Sequence, residues 1–417
     1  MNKGLAAWSL FAALIASAGL PIYIHAPKFY VDSYGMSLAA LGVTLALLRL
    51  FDVVQDPVLG WLAEVGRKTR AFWVALATGT MALSMVGLFA VTPPIAPVLW
   101  FALTLSGLFT SYSFLTICFY AEGVAKAATM GENGHIRLAG WREAGSLVGV
   151  SLAAVAPVAL LGFTSAPFAL FAALFVALAV LATLAMRHNW GKGVPLPPSN
   201  PIALFRPVLS DPLARRLLVI ALLNASPVAV TSTLFLFFVE SRLAAPGLEG
   251  PLLLLFFLSA AASTPVWSRV AQRHGAKRTL LAAMMLAIAA FLWTTFLTTG
   301  DTVAFAVICA ASGAALGADL TLLPAIFARR LAQIGTGGEA AAFGLWSFVS
   351  KLSLALAAAT LLPALDVAGF NPGGINTETA LLTLTLIYAA LPCVLKLTAI
   401  ILLARTEVPE TSESLPA

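Results

Sequence analysis

Apolar runs of about 20 residues recur along the whole chain, and this pattern sets the fold class. A helix of that length crosses a hydrocarbon core about 30 Å thick, and the runs lack the alternation of a membrane β-strand. Charged residues make up only 10% of the 417 residues, against about 25% in soluble domains. The sequence therefore predicts an all-α integral membrane protein with twelve transmembrane helices. Their expected bounds are 5–27, 38–62, 71–92, 97–120, 139–162, 165–187, 215–239, 250–270, 278–299, 302–327, 340–364 and 379–404.

The connections between these spans alternate in charge. Lysine and arginine concentrate after even-numbered spans, whereas loops after odd-numbered spans hold only Lys28 and Arg242 beside several acidic residues. The positive-inside rule then places both termini in the cytoplasm. The net charge of +6 is thus explained by topology, and no nucleic acid is expected as a partner. The expected location is the plasma membrane, with the chain as a multi-pass protein of a bacterial inner membrane.

A proline-rich connection near 188–214 divides the chain. Its composition predicts an extended polar linker in the cytoplasm. It separates an N-terminal six-helix bundle (1–187), expected to hold a cation site, from a C-terminal six-helix bundle (215–404). Residues 405–417 are expected to form a cytoplasmic tail.

The two halves also share a short loop pattern. Gly66 follows the second span and Gly275 follows the eighth, each among basic residues. Such a repeat is typical of transporters whose two halves enclose a binding site near the bilayer midplane. The alternative is that any tight loop on the basic side favours glycine, lysine and arginine.

Three charges lie on one face of the second span. Arg49, Asp52 and Asp56 follow one another at spacings of three and four residues, which brings them together on a helix. A charge at bilayer depth costs several kcal/mol, so such groups usually mark function. Two carboxylates one turn apart can ligate a hard cation such as Na⁺, or they can share one proton. Gln55 or a hydroxyl such as that of Thr116 could complete the shell.

Other charges lie inside the remaining spans. Arg49 is expected to balance the carboxylates when no cation is bound, and Lys351 is a positive partner that could compete with the cation. The alternative is a static ion-pair network that includes Lys351 or Arg142. Asp319 could bind the ion or hold the loop that follows its span. Lys396 is expected to snorkel to the interface, away from any site.

Polar and aromatic side chains within the spans are candidates for the wall of a solute cavity. Pro21 and Pro27 are expected to kink the first span. The same residue types also make ordinary helix contacts in membranes. The candidate cavity residues are Tyr23, Tyr112, Ser113, Tyr120, Trp141, Asn224 and Trp346.

The second span resembles a known signature. The run from Arg49 through Asp52, Asp56 and Pro57 to Gly60 resembles the second helix of the glycoside–pentoside–hexuronide:cation symporters, the melibiose permease-like family of the major facilitator superfamily. Further similarities, over the whole chain, are the loop Gly60–Arg70 with Glu64 in place of the usual Asp, the pair Trp141-Arg142, the pair Ala318-Asp319, and the run Ser350-Lys351-Leu352-Ser353.

The resemblance implies a major facilitator fold and symport by alternating access. It also implies a cation site at Asp52 and Asp56, with Lys351 beside it and Arg142 near the cavity. One departure concerns the sugar: family members that carry sugars have carboxylates in the middle of spans one and four, whereas span one here reads Ile15-Ala16-Ser17-Ala18-Gly19. The cation site is thus retained while the sugar site is changed.

The expected function is a secondary active transporter that couples Na⁺ or H⁺ to a small organic solute, with a sugar-like molecule as one candidate. The alternative is a lipid or amphiphile transporter on the same fold, and a third possibility is a receptor or assembly factor without transport. The sequence has no phosphate-binding Gly-x-x-x-x-Gly-Lys-Ser/Thr run and no evident nucleophile–base pair, so neither an enzyme nor a cofactor is expected. The expected partners are solute, coupling cation and membrane lipid, and a monomer is expected.

Overall fold

The computed structural model describes residues 3–191, 201–335, 338–371, 374 and 376–409. Within its helices a few side chains lie outside the described set, and that of Tyr23, a candidate cavity residue, is one of them. The proline-rich part of the predicted linker at 192–200 lies outside the described residues as well.

The described chain is built from helices joined by short connections. Three-residue or five-residue 3₁₀ and π segments continue several of them, for example Phe238–Arg242 and Leu386–Ala390. The α-helices are α1 Lys3–Ser17, α2 Leu20–Tyr34, α3 Leu38–Val65, α4 Arg70–Phe89, α5 Pro97–Ala128, α6 Gly134–Ala159, α7 Pro167–Met186, α8 Pro201–Ser210, α9 Pro212–Phe237, α10 Glu249–His274, α11 Ala276–Phe291, α12 Thr302–Ile334, α13 Glu339–Val367, α14 Glu378–Thr385 and α15 Leu391–Ala404.

The long helical segments agree with the predicted membrane fold. Nine segments among the described residues are long and apolar enough to cross a membrane. The broken pair α1–α2 and the charge-bearing helices α3 and α6 bring the long segments of the described chain to twelve. The charges of α3 and α6 point into protein, because Asp52, Asp56, Arg142 and Glu143 are all buried.

The first span breaks earlier than the prolines predict. Helix α1 ends at Ser17 and α2 begins at Leu20, so the interruption lies at Ala18 and Gly19. Pro21 falls in the first turn of α2, where its missing N–H has no helical partner to lose. Pro27 lies within α2 without ending it. Gly19, rather than either proline, marks the break.

The described part of the predicted linker contains a helix. Residues 201–210 form helix α8, so the prediction of an extended segment is wrong there. Proline is well suited to the first position of a helix, and Leu204 and Val208 are spaced by one turn. Val208 is almost fully buried, and this burial stabilises a helix that the proline count alone argues against.

Two compact units can be distinguished within the chain. The first comprises Met1–Met130, Trp141–Val208 and Leu331–Phe348; the second comprises Gly131–Gly140, Leu209–Arg330 and Val349–Ala417. In the first, α3 and α5 pack side by side and α4 packs on both α5 and α7. In the second, α15 packs on α9 and α11. The predicted boundary near 188–214 stays a prediction.

Candidate functional site

The carboxylate of Asp52 lies at the contact between α3 and α5 in the first unit. Its Oδ1 accepts hydrogen bonds from Gln55 Nε2 at 3.0 Å and from Ser113 Oγ at 3.3 Å. Gln55 Oε1 in turn accepts from Thr110 Oγ1 at 2.8 Å. Asp52 and Gln55 are one turn apart on α3, and Thr110 and Ser113 are one turn apart on α5. Two helix faces therefore supply a carboxylate, an amide and two hydroxyls to one buried cluster.

Asp56 lies one turn beyond Asp52 and is completely buried, with 0% exposure. Helix α3 continues through Pro57, whose ring nitrogen cannot donate to the Val53 carbonyl four residues earlier. The turn between the two aspartates thus carries a main-chain oxygen released from the helical ladder. Carboxylate and carbonyl oxygens are the ligands that hard cations prefer.

The assignment of Thr116 to a cation shell stays a prediction, since a hydroxyl that donates a hydrogen bond keeps its lone pairs. The Thr116 hydroxyl donates to the Tyr112 carbonyl of its own helix at 2.7 Å. Ser113, predicted as a cavity residue, donates to Asp52 instead. Thr110 is absent from the sequence-based candidates. Its spacing of three residues from Ser113 on α5 is the signal that could have found it.

A close helix contact lies just past Asp56. A Cβ on Gly60 would lie 2.9 Å from the Ala340 carbonyl oxygen, and one on Gly344 would lie 2.8 Å from the Asp56 carbonyl oxygen. The end of α3 and the first turns of α13 therefore touch backbone to backbone, an approach that only glycine permits.

An ion network surrounds the end of α3 in the same unit. Glu64 Oε1 accepts from the backbone N–H of Ala340 at 2.5 Å, in the first turn of α13, where a helix favours negative charge. Arg67 lies 3.3 Å from Glu339, and Arg70 Nη1 donates to Glu122 Oε2 at 3.1 Å.

Arg142 forms a second buried constellation in the first unit. Its Nε donates to Glu143 Oε1 at 2.7 Å, and the Tyr120 hydroxyl donates to the same oxygen at 2.9 Å. The guanidinium carbon lies 3.6 Å from the centroid of the Tyr120 ring, a cation–π geometry. Arg142 is thus held by a glutamate and an aromatic ring, and Glu143 is the partner that sequence reasoning did not assign.

Close packing of α6 on α1 positions this constellation. A Cβ on Gly145 or Gly149 would overlap the backbone of Ser9 or Ala13, so the pair acts as a small-xxx-small contact. The Ser9 hydroxyl donates to the Trp141 carbonyl. The Trp141 side chain is itself exposed.

The second unit holds a carboxylate cluster of its own. Lys396 Nζ donates to Asn224 Oδ1 at 2.7 Å and to Asp319 Oδ2. The three residues come from α9, α12 and α15, and all are buried. The expectation that Lys396 snorkels to the interface is therefore wrong: at 5% exposure it is the ion-pair partner of Asp319.

The remaining candidates differ in burial and surroundings. Arg49 on α3 is half-buried, as are Trp346 in the first unit and Lys351 in the second. The Tyr112 ring lies against Gly19, at the break between α1 and α2. Among the described residues, no three His, Cys, Asp or Glu side chains are grouped as a metal site.

The long helical segments of the described residues, with their buried charges and the polar cluster between α3 and α5, are typical of a multi-pass membrane transporter. The sequence matches the family described as MFS/sugar transport protein over residues 6–410. The chain belongs to this family, so it is a secondary transporter and not an enzyme.

Solved structures support the fold. The chain is similar to a bacterial homologue of the iron transporter ferroportin in an outward-facing state, with a TM-score of 0.69 and 16% identity over 95% of this chain and 99% of that one. The same type of homologue with soaked iron gives a TM-score of 0.68 and 16% identity over 94% and 98%. At this identity the likeness shows the major facilitator fold alone.

Proposed function

We propose that the protein is a symporter that couples the entry of Na⁺ or H⁺ to the movement of a small organic solute by alternating access. The observation that supports the proposal is the cluster on α3 and α5. Asp52 accepts hydrogen bonds there from Gln55 and Ser113, and Asp56 is completely buried one turn away. A monovalent cation that enters this turn offsets part of the cost of burying carboxylates.

Coupling follows from that charge balance. Two carboxylates at Asp52 and Asp56 disfavour a dry, closed state until a cation neutralises part of their charge. Arg49 on the same helix face, and Lys351, are proposed as the charges that compete with the cation in its absence. Arg142, fixed by Glu143 and Tyr120, is proposed to present a charge of constant orientation near the solute.

The proposed setting is the plasma membrane of a bacterium, with both termini in the cytoplasm. The alternation of basic loops supports this orientation. No cofactor is proposed beyond the coupling ion. The family description makes sugars the first solutes to test, and a monomer is the proposed state.

The cation claim is tested with purified full-length protein in detergent. Thermal unfolding is compared in NaCl and in choline chloride at equal ionic strength and at several pH values. A cation at about one hundred times its Kd stabilises the folded state by about 2.7 kcal/mol. We expect a higher Tm in NaCl for the wild type if the ion is Na⁺, and a pH-dependent Tm without a sodium effect if it is H⁺.

Variants assign the effect to the cluster. Asp52→Asn and Asp56→Asn are expected to abolish the response to Na⁺ and to change the response to pH, whereas the exposed Asp366→Asn retains both. In proteoliposomes, radiolabelled sugars are screened for uptake driven by a Na⁺ or H⁺ gradient, and the uptake of a sugar that the wild type carries should be lost in Asp56→Asn. If Asp52→Asn and Asp56→Asn respond to both ions as the wild type does, the coupling site lies elsewhere.

A lipid or amphiphile transporter is the second candidate, and one observation favours it. A groove of about 820 Å³ lies among α3, α4 and α5, lined by exposed apolar side chains such as Phe51, Leu62 and Trp73. Thr110 lines it and also donates to Gln55, so the groove borders the cluster. Native mass spectrometry that finds one retained phospholipid per chain, displaced by lysophospholipid but not by sugar, would favour this candidate.

A further inference from the structure

A cavity of about 70 Å³ lies inside the second unit. Its wall is contributed by α9, α10, α11, α12 and α15, and apolar side chains such as Phe256, Phe291 and Leu316 make up most of it. Asp319 and Lys396 form its charged part. A volume of this size exceeds the space that one water molecule needs, so the ion pair faces a site rather than a packing defect.

Irregular helix geometry shapes this cavity. A π-helical segment, Leu386–Ala390, interrupts the twelfth span, and Pro392 and Lys396 line the cavity just beyond it. Pro227 lines it from α9, one turn after Asn224. Proline removes a helical hydrogen bond, and single π turns recur at functional sites. Two spans therefore deviate from regular helix beside the same ion pair.

The ion pair has hydrogen-bonding capacity that its own partners do not use. An ammonium group has three donors, and within the described residues Lys396 Nζ makes two hydrogen bonds, to Asn224 and Asp319. Asp319 Oδ1 is buried with no hydrogen bond within 3.5 Å. Leaving a buried acceptor unused is unfavourable. Because Asp319 and Lys396 both line the cavity, a ligand for which the wall adjusts can use this donor and this acceptor.

The other polar groups of the wall can only accept. The hydroxyls of Thr231 and Ser312 already donate to the carbonyls of Val228 and Ile308 in their own helices. Their lone pairs remain for an N–H or O–H group of a ligand. A ligand head that suits this wall accepts one hydrogen bond and donates one or more.

Charge excludes ionic ligands. Asp319 and Lys396 neutralise each other, so a ligand with net charge would bring an unbalanced charge into an apolar interior. A polyol would place several hydroxyls against Phe256 and Phe291 without partners. We propose that this cavity binds an uncharged amphipathic solute with a carboxamide or hydroxyl head and a short apolar body. The head accepts from Lys396 Nζ and donates to Asp319 Oδ1, and this binding does not depend on cation coupling.

Isobutyramide is the probe for a first experiment, with isobutyrate and isobutylammonium as ions of matched size. Thermal unfolding of the full-length protein is measured with each compound at millimolar concentration. We expect isobutyramide to raise Tm and both ions to have a several-fold smaller effect. Asp319→Asn and Lys396→Met should lose the shift, while Asp301→Asn, in the loop before α12, should keep it. Equal shifts with all three compounds, or an undiminished shift in both cavity variants, would overturn the proposal.

A second experiment uses the wild-type protein and so does not depend on the folding of variants. Cys393 lines the cavity, whereas Cys309 packs in the apolar core of the same unit. Modification by methyl methanethiosulfonate is followed for each cysteine by peptide mass spectrometry. Isobutyramide should slow the modification of Cys393 several-fold and leave that of Cys309 unchanged. Equal rates for Cys393 with and without isobutyramide would contradict binding in this cavity, whatever the cation experiments show.

Discussion

The carboxylates of Asp52 and Asp319 are both buried inside membrane helices, but different kinds of donor hold them. Asp52 accepts from an amide and a hydroxyl, whereas Asp319 accepts from the ammonium group of Lys396. The ammonium group of Lys396 offsets the charge of Asp319 directly, whereas the hydrogen bonds from Gln55 and Ser113 to Asp52 bring no charge of their own. This difference underlies the two proposals, a cation at the first cluster and an uncharged ligand at the second.

The largest expected effect comes from breaking the second cluster. Lys396→Met leaves the Asp319 carboxylate buried without its counter-charge, which should cost about 3–5 kcal/mol of stability and lower Tm strongly. The double variant Lys396→Met/Asp319→Leu replaces the whole pair by apolar groups and should recover most of the loss. A double variant no more stable than the single one would show that the pair is not held by mutual neutralisation.

A smaller effect is expected from the first cluster. Gln55→Leu removes the donor to Asp52 and the acceptor for Thr110 at once, and this should cost about 1–3 kcal/mol. Thr110→Val should cost less. Both changes act on one hydrogen-bond chain. The sum of the Tm losses of the two single variants should therefore exceed the Tm loss of the double variant. Additive losses would indicate that the Thr110–Gln55 bond contributes nothing.

A third experiment separates two hydroxyls on α5. Ser113→Ala removes a donor to Asp52, so it should lower stability by about 1 kcal/mol and raise the Na⁺ concentration needed for half-maximal stabilisation. Thr116→Val is the matched control, because the Thr116 hydroxyl bonds within its own helix. If Thr116→Val raised the Na⁺ concentration for half-maximal stabilisation more than Ser113→Ala does, the result would favour Thr116 as the hydroxyl that completes the cation shell.

The smallest effect concerns a partly buried ion pair, which serves as a reference for the fully buried pairs. Arg330 donates to Asp211 at 2.5 Å and 3.1 Å, and this hydrogen bonding holds the pKa of Asp211 below its usual value. The pair should therefore contribute stability above the ordinary aspartate pKa of about 3.9 and lose it as the pH falls through the lowered folded-state value. The side chains of Arg330 and Asp211 keep 28% and 13% of their surface exposed, so water still screens the pair, and its contribution should be at most about 1 kcal/mol.

Asp211→Asn measures that contribution. Asparagine caps a helix as well as aspartate does, and Asp211 caps α9 through the N–H of Ala214, so the change isolates the charge. The Tm difference between wild type and variant should be constant near neutral pH and shrink at acidic pH. A difference that grows on acidification would have the wrong sign for this pair.

The sequence predicts which side chains lie close together when they share a helix. The spacing of Asp52, Gln55 and Asp56 placed them on one face of the second span, and in the structure Gln55 donates to Asp52. Apolar run lengths likewise predicted the all-helical fold. These inferences need only the helical repeat and the thickness of a bilayer.

Contacts between distant helices could not be predicted in that way. Lys396 meets Asp319 across 77 residues and Asn224 across 172, and only the packing of α9, α12 and α15 brings them together. Snorkelling of Lys396 would be expected for a single helix in lipid. In the structure, Asp319 and Asn224 on neighbouring helices bind its ammonium group instead. Thr110 was missed for the same reason, since its partner Gln55 lies 55 residues away on α3.

The glycine contact beside Asp56 offers a way to move a helix without altering a ligand. Gly60 and Gly344 let α3 and α13 meet along their backbones, so a methyl group at either position would push the two helices apart close to the backbone of Asp56. Gly344→Ala would leave every oxygen of the cluster chemically intact and change only the distance between two helices. Any loss of ion response in that variant would result from the changed helix separation. Side chains of increasing size at position 344 would measure how much separation the site tolerates.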